Sequence, residues 1–266
     1  MRNSLFVASA TLIMLAACKS LPDIPSSIPL GVVTLGTGDA VTGVHTTSPA
    51  AYFVDAVNVS IPNSAKSLDT CAQIAFPGAS VPAPLSQVDA GTPVIVATTT
   101  DTAQLTPQAA DINGYVFYRL PTGDSITIVP GSTARVTVPG SANGFHAFSV
   151  PFTNADSLHL QPINATADST GDLTLNWNPQ VGPHASVVVE LEFSTSGGGS
   201  PNSQIFCQFT DNGSHAVEAR LANIWRTGSA KHVHAYRFLT TPTNDGTDEM
   251  VIVSQYSTDS TIVLNP

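Results

Sequence analysis

Short stretches that alternate apolar and polar residues return along nearly the whole chain, and each is closed by a turn signal. That rhythm limits the fold more than any other feature. Thr133–Val138 reads TARVTV, Ser125–Val129 reads SITIV, and Ser186–Phe193 reads SVVVELEF. Similar stretches are Ala51–Ser60, Pro93–Thr99, Tyr115–Leu120, His146–Phe152, Leu158–Ile163, Asp172–Trp177, Gln204–Phe209, His232–Leu239 and Met250–Gln255. A period of two places alternate side chains on opposite faces of a strand. The separators are turn formers: Asn113-Gly114, Thr122-Gly123-Asp124, Pro130-Gly131, Pro139-Gly140, Asn143-Gly144, Asp211-Asn212-Gly213 and Asn244-Asp245-Gly246. Val, Ile and Thr dominate the runs, which favours strands. Helical periodicity shows once, at Ala216–Trp225, where Val217, Leu221 and Ile224 or Trp225 recur at offsets of four and three. The expectation is an all-β chain with one short helix.

The amino end follows another rule. Arg2 supplies one positive charge, and an apolar run from Leu5 to Ala17 follows, broken only by Ser9 and Thr11. The run is too short to span a bilayer, which takes about 20 residues. It has the proportions of a secretion signal. It closes on Leu15-Ala16-Ala17-Cys18. This resembles the lipobox of bacterial lipoproteins, which implies a signal peptide over 1–17, cleavage before Cys18 and acylation of that cysteine. Acyl chains contribute about 0.8 kcal/mol per buried CH₂, so several together anchor durably. Residues 18–30 hold Pro22, Pro25 and Pro29 with three serines, the composition of an extended tether. Lys19, rather than an aspartate, follows the cysteine. Under the sorting rule of Gram-negative lipoproteins this points to the outer membrane of the cell envelope.

Charge excludes one class of partner. The chain holds 9 Lys and Arg against 19 Asp and Glu, a formal net charge of −10. Nucleic acid needs clusters of Lys and Arg, so it is not an expected partner. Anionic headgroups would repel the body, which leaves the lipid anchor as the membrane link. Besides Cys18, only Cys71 and Cys207 remain. They either pair as a disulfide in an oxidising compartment or sit apart as buried thiols.

The chain divides near residue 157, giving two expected β-sandwich domains over 31–156 and 157–266. In the second, DLTLNWN over Asp172–Asn178 carries a lone Trp177 and precedes the long alternating strand SVVVELEFS and the stretch FCQFTDNGS. This arrangement resembles fibronectin type III and other immunoglobulin-like modules, and also two-sandwich envelope lipoproteins. The resemblance implies a fold and a location, and no reaction.

Candidate chemistry is sparse. His232 and His234 are two apart on a strand and share a face, as a zinc or copper pair would, with His215 or Asp211 as a third ligand. The simpler reading is a half-exposed face with no metal. Thr243–Glu249 (TNDGTDE) offers oxygen ligands but lacks the spacing of a calcium loop, and reads as a solvated hairpin turn, as does Asp211–Ser214. Glu190 and Glu192 share a strand face and read as solvent-facing beside core Val189, Leu191 and Phe193. There is no G-x-S-x-G elbow, and Gly197-Gly198-Gly199 lacks the lysine and helix of a phosphate loop. Asn58, Asn164 and Asn212 head sequons expected to be silent in a bacterial export route. For a carbohydrate platform the aromatic candidates are Trp225, Tyr236 and Tyr256, with Trp177 assigned to the core. No residue qualifies as catalytic and no cofactor is implied. The expected protein is a lipid-anchored, non-enzymatic envelope lipoprotein with a structural or binding role toward another envelope protein or a glycan. The alternatives are a metal-dependent hydrolase at His232 and His234, or a carbohydrate-binding module.

Overall fold

Alternation sets the faces. In Thr133–Val138, Ala134, Val136 and Val138 are buried while Thr133 and Arg135 face solvent. The antiparallel neighbour Phe148–Thr153 buries Phe148, Val150 and Phe152 and turns Ser149 and Pro151 outward, with Val136 opposite Val150. A computed structural model describes residues 28–39, 44–55, 68–75, 86–109, 116–164, 170–180, 185–197, 199–259 and 262–263. The expected signal peptide over 1–17, Cys18, most of the tether and Asn58 lie outside the described residues.

The chain is all-β. Its strands are β1 (Leu30–Gly38), β2 (His45–Thr47), β3 (Ala50–Val54), β4 (Thr70–Ala75), β5 (Val94–Ala97), β6 (Thr102–Pro107), β7 (Tyr118–Arg119), β8 (Ile126–Ile128) and β9 (Thr133–Val138). Next come β10 (Phe148–Thr153), β11 (Ile163–Asn164), β12 (Leu173–Asn176), β13 (Ala185–Ser194), β14 (Ser203–Thr210) and β15 (Ser214–Val217). After the helix α1 (Ala219–Thr227) follow β16 (Ser229–Asn244), β17 (Glu249–Asp259) and β18 (Ile262–Val263). Two compact units gather these strands, and neither is continuous in sequence. Among described residues one takes 28–55, 86–156 and 239–255, and the other takes 68–75, 157–238 and 256–263.

In the first unit the strand order is β10-β9-β5-β6-β7-β3-β1-β17. A single sandwich-like core joins the apolar faces of the two ends of this run. Val94, Val96, Val136, Val138 and Phe152 come from one end, and Val33, Leu35, Phe53, Met250 and Ile252 from the other. Phe145 fills the middle, its ring 4.8 Å from Phe53 and 5.4 Å from Phe148. Pro151 sits on the edge strand β10, where a residue without an N–H discourages further pairing. Gly91 and Gly140 have φ of +73° and +80°. A Cβ on Gly91 would collide with the Gly140 carbonyl, so glycine is required there.

In the second unit β17, β16, β13, β14 and β4 are neighbours in that order. Odd-numbered residues of β13 and β14 face the core: Val187, Val189, Leu191, Phe193, Ile205, Cys207 and Phe209 are all buried. Trp177, just after β12, stacks on Phe209 at 5.8 Å and is core as expected. Its indole N–H donates to Asp211 Oδ1 at 2.8 Å. Arg237 of β16 also points inward, donating from Nε to Asp211 Oδ2 at 2.6 Å and from Nη1 to the Ser157 carbonyl at 2.7 Å. A further Nη2 donation reaches the Asn178 carbonyl. Both charged side chains are fully buried.

Several local expectations change. The helix begins at Ala219 rather than Ala216, because residues 214–217 pair with β12 as β15. Glu218 gives no side-chain cap. Asp172 Oδ1, distant in sequence, accepts the Ala219 N–H at 2.8 Å and closes the helix start. Leu158–Ile163 is not a continuous strand: it holds an isolated bridge from Leu160 to Trp177 and then the short β11. Leu30, the last residue of the expected tether, is already buried in β1. Asp211 and Asp248 lie in turns yet are buried rather than solvated, because each is held by hydrogen bonds.

Candidate functional site

The even-numbered face of β13 and β14 is different. Register puts Glu190 opposite Phe206, Glu192 opposite Gln204 and Val188 opposite Gln208. Side chains directly opposite on antiparallel strands share a face and lie within reach of each other. β16 adds His234 and Tyr236 to this face, and β17 adds Asp259, as their contacts with the two glutamates show. Tyr236 donates its hydroxyl to Glu190 Oε2 at 3.3 Å. His234 Nδ1 lies 2.6 Å from Asp259 Oδ1, and its Nε2 lies 3.7 Å from Glu192 Oε2. His232 lies alongside, its ring parallel to that of His234 with centroids 6.4 Å apart.

Electrostatics follow from this placement. The carboxylates of Glu192 and Asp259 favour the charged imidazole and raise the His234 pKa to about 9, against the opposing effect of burial. Burial pushes the Glu190 carboxyl above the ordinary glutamate range. The neighbouring Glu192 adds to this, while His234 and the Tyr236 hydroxyl work against it. Tyr236 is raised as well, by burial first and then by Glu190. Glu190 is therefore not the free, solvent-facing carboxylate expected from its strand pattern.

A metal pair at His232 and His234 needs neutral imidazoles with a nitrogen to offer. Both nitrogens of His234 are already turned on carboxylates. The two proposed third ligands are engaged in other contacts. Asp211 is bonded to Arg237 and Trp177. His215 stacks on Phe209 with centroids 4.3 Å apart, and its Nε2 lies 3.5 Å from Asp69. Among the described residues no group of three or more His, Cys, Asp or Glu side chains is placed to hold a metal ion.

The acidic turn is held by its own backbone. Asp245 Oδ1 accepts the N–H groups of Thr247 and Asp248 at 2.8 Å each, and Asp245 Oδ2 meets His146 Nδ1 at 3.1 Å. Cys71 and Cys207, directly opposite on β4 and β14, are joined by a disulfide with their Cα atoms 4.0 Å apart. Trp225, nominated for an exposed aromatic platform, is instead wholly buried and donates its indole N–H to the Glu192 carbonyl. Its position on the inward side of α1 explains this, beside buried Leu221 and Ala222. Tyr256 is also buried. Of the nominated aromatics, only Tyr236 reaches the open side, half-buried.

Four members of this face escaped the sequence reading: Asp259, Gln204, Phe206 and Gln208. Each lies at an alternating strand position, which is a signal shared with dozens of other residues. Only cross-strand register singles them out. No protein-family model matches the chain, and no curated protein matches it in sequence, so this face is read from its own chemistry.

Proposed function

We propose that this chain is a lipid-anchored binding protein of the cell envelope, acylated at Cys18, with a recognition face on its second unit. The Leu15-Ala16-Ala17-Cys18 sequence supports the anchor and the compartment. One observation carries the binding role. The even face of β14, β13 and β16 gathers two amides, two glutamates, two histidines and the rings of Phe206, Tyr236 and Phe238, where an inert face would carry scattered polar groups. Binding sites concentrate hydrogen-bonding groups among aromatic ones in this way. Turnover is less well supported, since His234 offers neither nitrogen as a free base. The second unit is read as immunoglobulin- or fibronectin type III-like, a reading supported by Trp177 plugged against Phe209 in the core.

Membrane attachment tests the anchor. Cys18→Ala should abolish palmitate incorporation and move the protein out of the membrane fraction. Labelling that survives the substitution overturns the reading.

A further inference from the structure

We propose that the face formed by Gln204, Phe206, Gln208, Glu190 and Tyr236 binds a neutral oligosaccharide. The inference deepens the binding role above and rests on it.

The amides come first. Gln204 is 9% exposed and Gln208 is 5% exposed, and both point to the same side of β14. Neither side chain donates or accepts a hydrogen bond within the described chain. Each amide offers two donors and an acceptor with two lone pairs. Glutamines this recessed are normally spoken for by other protein groups. Here their capacity is left for solvent or a ligand. They bracket Phe206 over four residues of strand, a span of about 13 Å, which suits a short chain of linked rings.

The rings come second. Phe206 is half-buried between the two amides and opposite Glu190, and Tyr236 stands beside Glu190 with its hydroxyl bonded to it. A pyranose presents C–H groups on its faces and hydroxyls around its rim. Aromatic surface meets the first, and amide and carboxyl groups meet the second.

Charge selects between classes of ligand. Asp259 and Glu192 are both turned on His234, whose single positive charge offsets one of the two. Glu190 is tied to a phenol, and burial works against its charged form. His234, the positive group of this face, is already held by two carboxylates and is not left for an anionic ligand. The chain as a whole carries −10, which opposes sulfated or phosphorylated polymers. A neutral, hydroxyl-rich ligand fits these facts, and an anionic one does not.

The test uses the full chain purified in detergent on an array of neutral hexose and N-acetylhexosamine oligosaccharides, with sialylated and sulfated glycans alongside. Neutral glycans should bind. Gln204→Leu and Gln208→Leu should each weaken that binding tenfold or more, while Gln104→Leu, on an exposed position of β6, should leave it unchanged. Because neither amide bonds to the protein, both leucine variants should unfold at the temperature of the unsubstituted chain, which separates lost recognition from lost fold. Absence of neutral binding at millimolar glycan, binding confined to charged glycans, or binding indifferent to both glutamine changes overturns the inference. Membrane fractionation is read separately. An acylated chain that ignores neutral glycans sinks this inference alone, and a glycan-binding chain that is never acylated sinks the envelope reading alone.

Discussion

Arg237 and His234 stand three residues apart on β16, on opposite faces, and each meets an acid. Arg237 and Asp211 are fully buried, and the guanidinium donates to Asp211 and to the Ser157 and Asn178 carbonyls. His234 is about one-third exposed, and its partner Asp259 is 81% exposed. The inward pair closes a core: it joins the residues after β12, the end of β14 and the middle of β16 through Trp177, Asp211 and Ser157. The outward pair lies among unpaired amides and half-buried rings. One strand thus separates the groups that hold the second unit together from those free to meet something else. Alternation alone accomplishes this, since adjacent residues cannot share a side.

The contrast can be broken most sharply at Asp211. Asp211→Ala strands Arg237 in the core without a counter-charge, which should cost about 3–5 kcal/mol in urea unfolding. The double variant Asp211→Leu with Arg237→Leu should recover much of that loss. A loss below about 1 kcal/mol for the single variant would show that the inward pair is no keystone of the unit. The disulfide comes next. Cys207 is fully buried, and Cys71→Ser with Cys207→Ser should lower stability by about 2–5 kcal/mol. Peptide mapping without reductant should recover the two cysteines as one linked species. Finding both alkylated would refute the pairing.

The outward pair should matter less and should depend on pH. The His234 pKa is raised from 6.5 to about 9 on folding. Its contribution is therefore complete below pH 6.5, declines as pH rises, and is gone above about 9. With solvent screening the total should be about 1–2 kcal/mol. Unfolding free energies between pH 6 and 9.5 should slope downward, and His234→Gln should flatten the slope. An unchanged slope in that variant assigns the effect elsewhere. The smallest effect belongs to Tyr236→Phe, which removes the bond to Glu190 and should change stability by about 0.5–1.5 kcal/mol. A loss as large as that of Asp211→Ala would erase the distinction between the two faces.

Much of the architecture was legible because alternation is local. Thr133–Val138 was delimited to the residue, and Ser186–Phe193 grew by one residue at each end. Other strands were invisible for physical reasons. β1 reads LGVVTLGTG and β4 reads TCAQIA, too rich in glycine or too weakly alternating to stand out. The helix was placed three residues early because Val217 fits both periods, and pairing with Leu173 decided for strand. The face was only half legible. Glu190 with Glu192 and His232 with His234 could each be seen as pairs two residues apart. That β13 and β16 are neighbours could not, since strand adjacency is set by contacts distant in sequence. Trp225 differs from its nomination for a related reason: residue type alone does not tell a sugar-facing ring from a core one, and the inward side of the helix decides it.

The position of β4 has a consequence for the order in which the two thiols meet. Cys71 precedes Cys207 by 136 residues. A chain exported amino end first, as the envelope reading requires, delivers the Cys71 thiol to the oxidising side well before its partner. Until β14 follows, the strand that will border it has no β14 to join. A chain truncated anywhere before Ser203 thus carries an unclaimed thiol on an unclaimed strand, and the arrival of β14 is the moment at which both find their place.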